Sequence, residues 1–306
     1  MTTSATTLVQ PGPFRVRLPA TSANLGPGFD AVGLAMALYL TIDAVAAESF
    51  HIDATGRDAA LCAALENNLI LDTYIDVLAK GGITAPRLCL KLHNEIPLGM
   101  GCGSSAAALL AGVLLANHFG RLSLSSGQIL EEACRREGHP DNVAACYLGG
   151  MTVSAMTKNG VVTATCGQNL NWSLLLALPS VGLATSKARA LLPDSYSRED
   201  AVANIQATAL LVAAFAQGRG ELLRFAMRDR LHQPYRGKAC PLLPLLLPLV
   251  DTEGVLGVAL SGAGPSVLLI TEDSAAASLD SVIREAAGDP AIEVVHTRIA
   301  GGVLHS

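Results

Sequence analysis

Pro97-Leu98-Gly99-Met100-Gly101-Cys102-Gly103-Ser104-Ser105-Ala106-Ala107 is the stretch on which the reading of the chain turns. Before it, Leu88, Leu90 and Leu92 alternate with Cys89, Lys91 and His93, the period of two that predicts a strand. After it, Ser104 to about His118 is mostly Ala and Leu with almost no polar side chain, which predicts a buried helix. A strand, a glycine turn and a helix N-terminus gather unpaired backbone N–H groups at one point, and such a point attracts phosphate. Glycines at 99, 101 and 103 permit positive φ and let a ligand reach the backbone without meeting a Cβ. No lysine follows the last glycine, so this is not the P-loop. Taken alone, the stretch is either a phosphate loop or a tight structural turn.

The 306 residues suggest two domains, each able to bury its own core. Half the residues are hydrophobic and 15% charged, an ordinary and rather apolar globular composition. A net charge of −5 gives no basic footprint for nucleic acid or an anionic membrane. Seven cysteines, an odd number without a C-x-x-C pair, predict free thiols in a reducing compartment. The start of the chain is rich in Thr and Ser, without a cationic segment and apolar run, so no signal peptide is expected. The Leu-rich segment Pro241 to Val250 is too short to span a bilayer and carries Pro244 and Pro248. A cytoplasmic protein without membrane or nucleic-acid partners is the expectation.

Working outward, residues 1–12 read as a loose leader, followed by a strand through Phe14, Val16 and Leu18 that Pro19 stops. Thr21 to Asp30 reads as a ten-residue polar loop, either a plain turn or a ligand rim. Leu38–Val45 and Phe50–Ala54 read as a strand pair, and Asn67 or Asn68 as the cap of a helix. Ser125 or Ser126 opens another helix, which carries Glu131, Glu132 and Glu137 and runs into the turn Gly138-His139-Pro140-Asp141-Asn142. The domain boundary is placed near residue 165. Beyond it are predicted a strand at Leu174–Leu178, helices at Thr185–Leu192, Asp200–Gln217 and Glu221–Asp229, and strands at Val255–Leu260 and Val267–Ile270. A helix over Ser274–Ala287 and a strand over Ile292–Ile299 complete the prediction. Strands and helices mix without regular alternation, which predicts an α+β fold.

Several separated segments resemble one family. P-L-G-M-G-C-G-S-S-A-A resembles the phosphate loop of the GHMP kinases, and L-S-G-A-G-P-S (Leu260 to Ser266) is similar to their C-terminal glycine motif. P-A-T-S-A-N-L-G-P-G-F-D (Pro19 to Asp30), E-G-H-P-D-N-V-A (Glu137 to Ala144), T-S-K-A-R-A-L-L-P (Thr185 to Pro193) and Q-P-Y-R (Gln233 to Arg236) are similar to the members that act on L-homoserine. The resemblance covers both halves of the chain in the family's order.

It implies a two-domain GHMP kinase fold: residues 1–165 as an ATP-binding domain like ribosomal protein S5 domain 2, and 166–306 as a ferredoxin-like domain. It implies transfer of phosphate from MgATP to the side-chain hydroxyl of L-homoserine, giving O-phospho-L-homoserine for threonine synthesis. The loop Pro97, Leu98, Gly99, Met100, Gly101, Cys102, Gly103, Ser104 and Ser105 would hold the nucleotide, with Asn68 near the adenine and Gly262 and Gly264 completing the site. Mg²⁺ prefers hydroxyl and carboxylate oxygens. Ser105 and Glu131 would supply them, Glu131 lying where the family's ligand falls, ahead of Glu132 and Glu137. The zwitterionic substrate needs charges of both signs. Arg189 and Arg236 would grip its carboxylate. Asp141, with Asn24, Asp30 and His139, would hold the ammonium and hydroxyl ends. Asn142 and Thr185 would orient the hydroxyl, with Asp141 either the base or the ammonium anchor. A homodimer is common in the family. Met100 and Cys102 replace the family's usual Ser and Leu; Cys102 is either a thiol activated by the helix N-terminus or a small buried hydrophobe.

Overall fold

The computed structural model describes residues 11–180 and 185–306, without the side chains of Thr185 and Ser186. Most of the expected leader lies outside the described residues. The first strand, β1 (Phe14–Asn24), does not stop at Pro19. Its register against β2 (Gly28–Ala46) shifts between Pro19 and Ala20, so the proline falls at an irregularity where a missing donor is tolerated. The expected ten-residue loop is therefore a tight hairpin around Leu25-Gly26-Pro27, with Asn24, Leu25 and Gly26 at positive φ. Thr21, Ser22 and Asn24 are buried.

The strand β3 (His51–Gly56) does not pair with β2 as expected. A short turn, α1 (Ala59–Cys62), and the helix α2 (Leu69–Lys80) carry the chain to β4 (Leu88–Asn94). β4 takes the place beside β2 antiparallel, and β3 lies parallel on its outer edge. The glycine loop then leads into α3 (Ser104–Phe119). Apolar all round, α3 is buried and packs against α2, α4 (Ser126–Glu137), α5 (Asp141–Leu148) and β1. Ser125 and Gln128 form a reciprocal capping box at the start of α4, and Gly138, at φ 89°, ends it. The hairpin β5 (Met151–Thr157) and β6 (Gly160–Cys166) extends the sheet from the other part of β2.

The second half forms a separate antiparallel sheet. It contains β7 (Trp172–Leu178), α6 (Thr185–Arg189), α7 (Arg198–Gln217), α8 (Leu223–Ala226), α9 (Gln233–Arg236), α10 (Leu242–Leu246), β8 (Val255–Leu260), β9 (Val267–Glu272), α11 (Ala276–Ala287) and β10 (Glu293–Arg298). Its strand order, β10-β7-β9-β8, is the ferredoxin-like arrangement. The expected helix from Glu221 is shorter, a 3-10 turn followed by α8 that ends at Ala226. The last strand, β11 (Leu304–His305), returns to the first sheet beside β1, making it seven-stranded. There are two apolar clusters: one joins Leu18, Leu34, Leu110 and Val113 of the first half to Leu174, Leu211, Phe215 and Leu268 of the second, and the other, with Leu175, Leu246 and Leu269, lies within the second half.

Candidate active site

Three left-handed glycines shape the loop that precedes α3. Gly99, Gly101 and Gly103 have φ of 70°, 74° and 70°. A Cβ on Gly101 would collide with the carbonyl oxygen of Ser261, and one on Gly103 with the Thr21 hydroxyl. The loop is thus wedged between the two halves of the chain, and the Ser261 hydroxyl donates to the Gly101 carbonyl at 2.8 Å. Among the described residues, no hydrogen bond uses the backbone N–H groups from Gly99 to Ser105. These donors and the N-terminal end of a 16-residue helix fit an anionic triphosphate. Pro97 is buried and Met100 packs on the apolar core, so these two support the loop from behind. Cys102 is fully buried and its thiol is pushed up to about 12 by burial, which makes it a small hydrophobe.

The Ser105 hydroxyl donates to Glu137 Oε2 at 2.8 Å. Burial pushes the Glu137 carboxyl above its ordinary 4.5, against the pull of the Ser105 bond and of His139. A carboxylate and a hydroxyl meeting under the phosphate loop, with the charge disfavoured until a cation arrives, fit Mg²⁺. Glu131 does not join them. It is exposed and lies beside Gly160 of β6. Six residues on a helix are a rotation of about 240°, so Glu131 and Glu137 cannot face the same way. Glu132 is tied to Arg135 and Arg136. Sequence held the signal for Glu137: Leu130, Ala133 and Cys134 form the buried stripe of α4, and position 137 continues it.

At the start of α5, Asp141 is 2% exposed. Its Oδ1 accepts from the Asn142 backbone N–H and is bonded to His139 Nδ1, both at 2.7 Å. Burial alone would lower the His139 imidazole, but its bond to Asp141 and the charges of Asp141, Glu137 and Asp30 outweigh this and raise it above 6.5. Asn142 Oδ1 accepts from the Thr21 hydroxyl at 2.7 Å. Thr21 thus supports Asn142 from outside the cavity wall. Gly33 of β2 lets α5 approach so closely that any Cβ there would strike the Asp141 carbonyl.

The hairpin and the second half close the site. Asn24 Nδ2 donates to the Gly262 carbonyl at 2.9 Å and its Oδ1 accepts from the Asp30 N–H at 3.1 Å, so its amide fastens the two halves together. Asp30 and Arg189 form a bidentate pair at 2.8 and 2.9 Å, which leaves Arg189 less free to grip a ligand carboxylate than expected. Arg236 is different. It is 1% exposed, and among the described residues no carboxylate lies within ion-pair distance of it. Burial first, and then the Arg189 charge, pull its pKa below the ordinary arginine value. A cavity of about 240 Å³ collects Ser105, Glu137, His139, Asp141, Arg189 and Arg236, with Asn24, Asp30, Asn142 and Gly262 also on its wall. Gly264 is not on that wall: its carbonyl lies against Gly101 of the loop, and a Cβ on it would meet Cys240. The Thr185 side chain lies outside the described residues.

A second, more apolar cavity of about 300 Å³ shares Ser104 and Ser105 with the first and is walled by Leu61, Leu69, Leu98 and Ala108. Asn68 borders it, but its amide caps α2, accepting from Ile70 and Leu71, and donates to the carbonyls of Cys62 and Ala64. Together the cavities offer a flat apolar slot, a phosphate cradle and a polar chamber in series.

Both halves of the chain match one known family. Residues 68–150 match the model of the GHMP kinases N terminal domain, and residues 211–287 that of the GHMP kinases C terminal domain. The chain belongs to the GHMP kinase family. Among GHMP kinases, a homoserine kinase of Solibacter usitatus is 48% identical over 260 residues, 85% of each chain. A homoserine kinase of Desulfitobacterium hafniense is 43% identical over 256 residues, covering 84% of this chain and 86% of its own. The crystal structure of a homoserine kinase from Cytophaga hutchinsonii covers both chains fully with a TM-score of 0.81, at 24% identity, which shows the shared fold. Among the described residues, no helix is long and apolar enough to cross a membrane.

Proposed function

We propose that this GHMP kinase transfers the γ-phosphoryl group of ATP to the side-chain hydroxyl of L-homoserine. One observation carries the choice of substrate. The phosphate cradle opens on a chamber where a buried arginine without a carboxylate partner shares the wall with Asp141, Asp30 and His139. A small zwitterion with a free hydroxyl matches that distribution of charge, and mevalonate, which has no ammonium group, matches it poorly. The names of the sequence relatives favour the same substrate.

In this reading the nucleotide base lies in the slot beside Asn68, and the N–H groups from Gly99 to Ser105 bind the phosphates. Arg236 receives the substrate carboxylate, reinforced by Arg189 when its pair with Asp30 opens. Asp141 anchors the ammonium group, held in place by His139 and the Asn142 N–H. Asn142, fixed by Thr21, and Thr185 orient the hydroxyl. Phosphoryl transfer depends mostly on positioning and charge neutralisation, so the site has no need of a strong base. Ser105 and Glu137 would hold Mg²⁺, which neutralises charge on the phosphates when bound. Residues 1–165 supply the nucleotide side of the site, and 166–306 supply Arg189 and Arg236. The cysteines of the chain, all free thiols, suit a reducing cytoplasmic setting. ADP release measured over a panel of alcohols tests the assignment: L-homoserine should be used well, and mevalonate and shikimate poorly. Preference for either of the latter overturns it.

A further inference from the structure

Arg236 is held in an unusual way. A buried guanidinium normally has a carboxylate beside it, because an isolated charge is costly to remove from water. Among the described residues its polar neighbours are carbonyls and an imidazole, with the Phe29 ring centroid 5.5 Å away. Nε donates to the Ala188 carbonyl and Nη1 to the Gly262 carbonyl, both at 3.4 Å, and Nη1 lies 3.1 Å from His232 Nδ1. A guanidinium can only donate, so His232 Nδ1 must present a lone pair, and the ring proton sits on Nε2. That proton has an acceptor, the Gly26 carbonyl at 2.7 Å. Asp229 lies 3.6 Å from the same Nε2, but its carboxylate caps the chain, accepting from the N–H groups of Leu231, His232 and Gln233 at 2.9, 2.9 and 2.6 Å. The Phe29 ring stacks on the imidazole, with centroids 5.4 Å apart. His232 is fully buried, and burial pulls its pKa down, helped by Arg236 and opposed by Asp229 and, further off, Asp30.

We propose that His232 is a positioning residue for Arg236: a neutral imidazole, protonated on Nε2, fixes the guanidinium without cancelling its charge, so that the charge remains available to the substrate carboxylate. Its other nitrogen ties this arrangement to the hairpin at Gly26, so the arginine of the second half is aligned to the β1–β2 hairpin. The inference rests on the functional reading above and adds a specificity determinant to it.

Three variants and one spectrum test it. In His232→Asp the arginine gains an internal counter-ion. The homoserine KM should rise about 30-fold or more, the ATP KM should stay nearly constant, and 3-amino-1-propanol, which lacks the carboxylate, should be used as before. His232→Asn keeps a neutral acceptor near Nδ1 and should hold the homoserine KM within about tenfold of the parent. His232→Leu should fall between the two. Equal effects of Asp and Asn, whether both mild or both severe, overturn the proposal, since charge then does not matter. In ¹⁵N-histidine spectra of the unmodified protein, His232 should remain the neutral Nε2–H tautomer from about pH 5.5 to about pH 8. An imidazole that carries its proton on Nδ1, or titrates within that range, overturns the placement of His232 alone. The spectrum involves no substrate. By contrast, equal use of homoserine and 3-amino-1-propanol by the unmodified enzyme removes the carboxylate site and the proposal with it.

Discussion

Replacing Arg236 with methionine separates the demands of folding from those of substrate binding. Among the described residues the guanidinium makes three polar contacts, at 3.1 to 3.4 Å, to an imidazole and two carbonyls. Each is worth about 0.5–1.5 kcal/mol net. Against that stands the cost of a buried charge without a counter-ion, several kcal/mol even after relaxation. Methionine fills a similar volume without charge, so Arg236→Met should leave the melting temperature unchanged or raise it. Substrate binding should respond in the opposite sense. A carboxylate brought into the chamber without Arg236 is desolvated and underpaired, at about 2–5 kcal/mol. This corresponds to about 30-fold to several-thousand-fold in kcat/KM for homoserine. The cavity proposed for the nucleotide base lies on the other side of Ser104 and Ser105, so the KM for ATP should hardly move. Steady-state kinetics with each substrate varied in turn, together with thermal melts, give both readouts. A large fall in melting temperature, or a KM for ATP that rises in step with that for homoserine, refutes the reasoning.

Glu137→Gln should lower kcat by about two orders of magnitude or more and weaken the Mg²⁺ dependence, while Glu131→Gln stays near the parent; the reverse pattern in Mg²⁺ titrations sinks the assignment of Glu137. Because burial raises the folded Glu137 carboxyl above 4.5, the folded state binds the extra proton. Metal-free stability should therefore fall as pH rises from 4.5 through the folded pKa, and denaturant titrations of Glu137→Gln should show a flatter profile there. His139, raised above 6.5, likewise contributes stability that is present below 6.5 and lost as pH climbs through its folded value, so His139→Asn should remove that later part of the slope. Cys102, held at about 12, should resist iodoacetamide in the native protein and react only on unfolding; rapid native labelling, read by mass spectrometry, would contradict its buried role.

Much of this site is legible in sequence because local rules govern it. The alternation of Leu88, Leu90 and Leu92, the glycines at 99, 101 and 103 and the apolar helix after them require only neighbouring residues to interpret, and the structure follows them closely. Where distant partners decide, local reading fails. Thr21 and Asn24 look like loop residues because they are polar, yet both are buried in or beside β1: the Thr21 N–H reaches the Cys102 carbonyl at 3.0 Å, its hydroxyl reaches Asn142, and Asn24 reaches Gly262. The insertion of β4 between β2 and β3 leaves no mark on periodicity. Glu131 fits a family spacing, but the rotation of α4 turns it away from Ser105 and leaves Glu137 beside that hydroxyl. The pairing of Asp30 with Arg189 joins residues 159 positions apart, each of which sequence reading assigns to the substrate.

The substrate assignment stands or falls on whether the chamber recognises a carboxylate. L-Homoserine and 3-amino-1-propanol share the hydroxyl, the ammonium group and the chain between them, and differ only in that carboxylate. The most direct measurement is therefore ADP release by the unmodified enzyme with each compound at matched, subsaturating concentration. The account predicts a kcat/KM for homoserine at least about 30-fold higher, from the 2 kcal/mol lower end of the cost of an underpaired buried charge, and a gap that narrows in Arg236→Met. Equal turnover of the two compounds would contradict it.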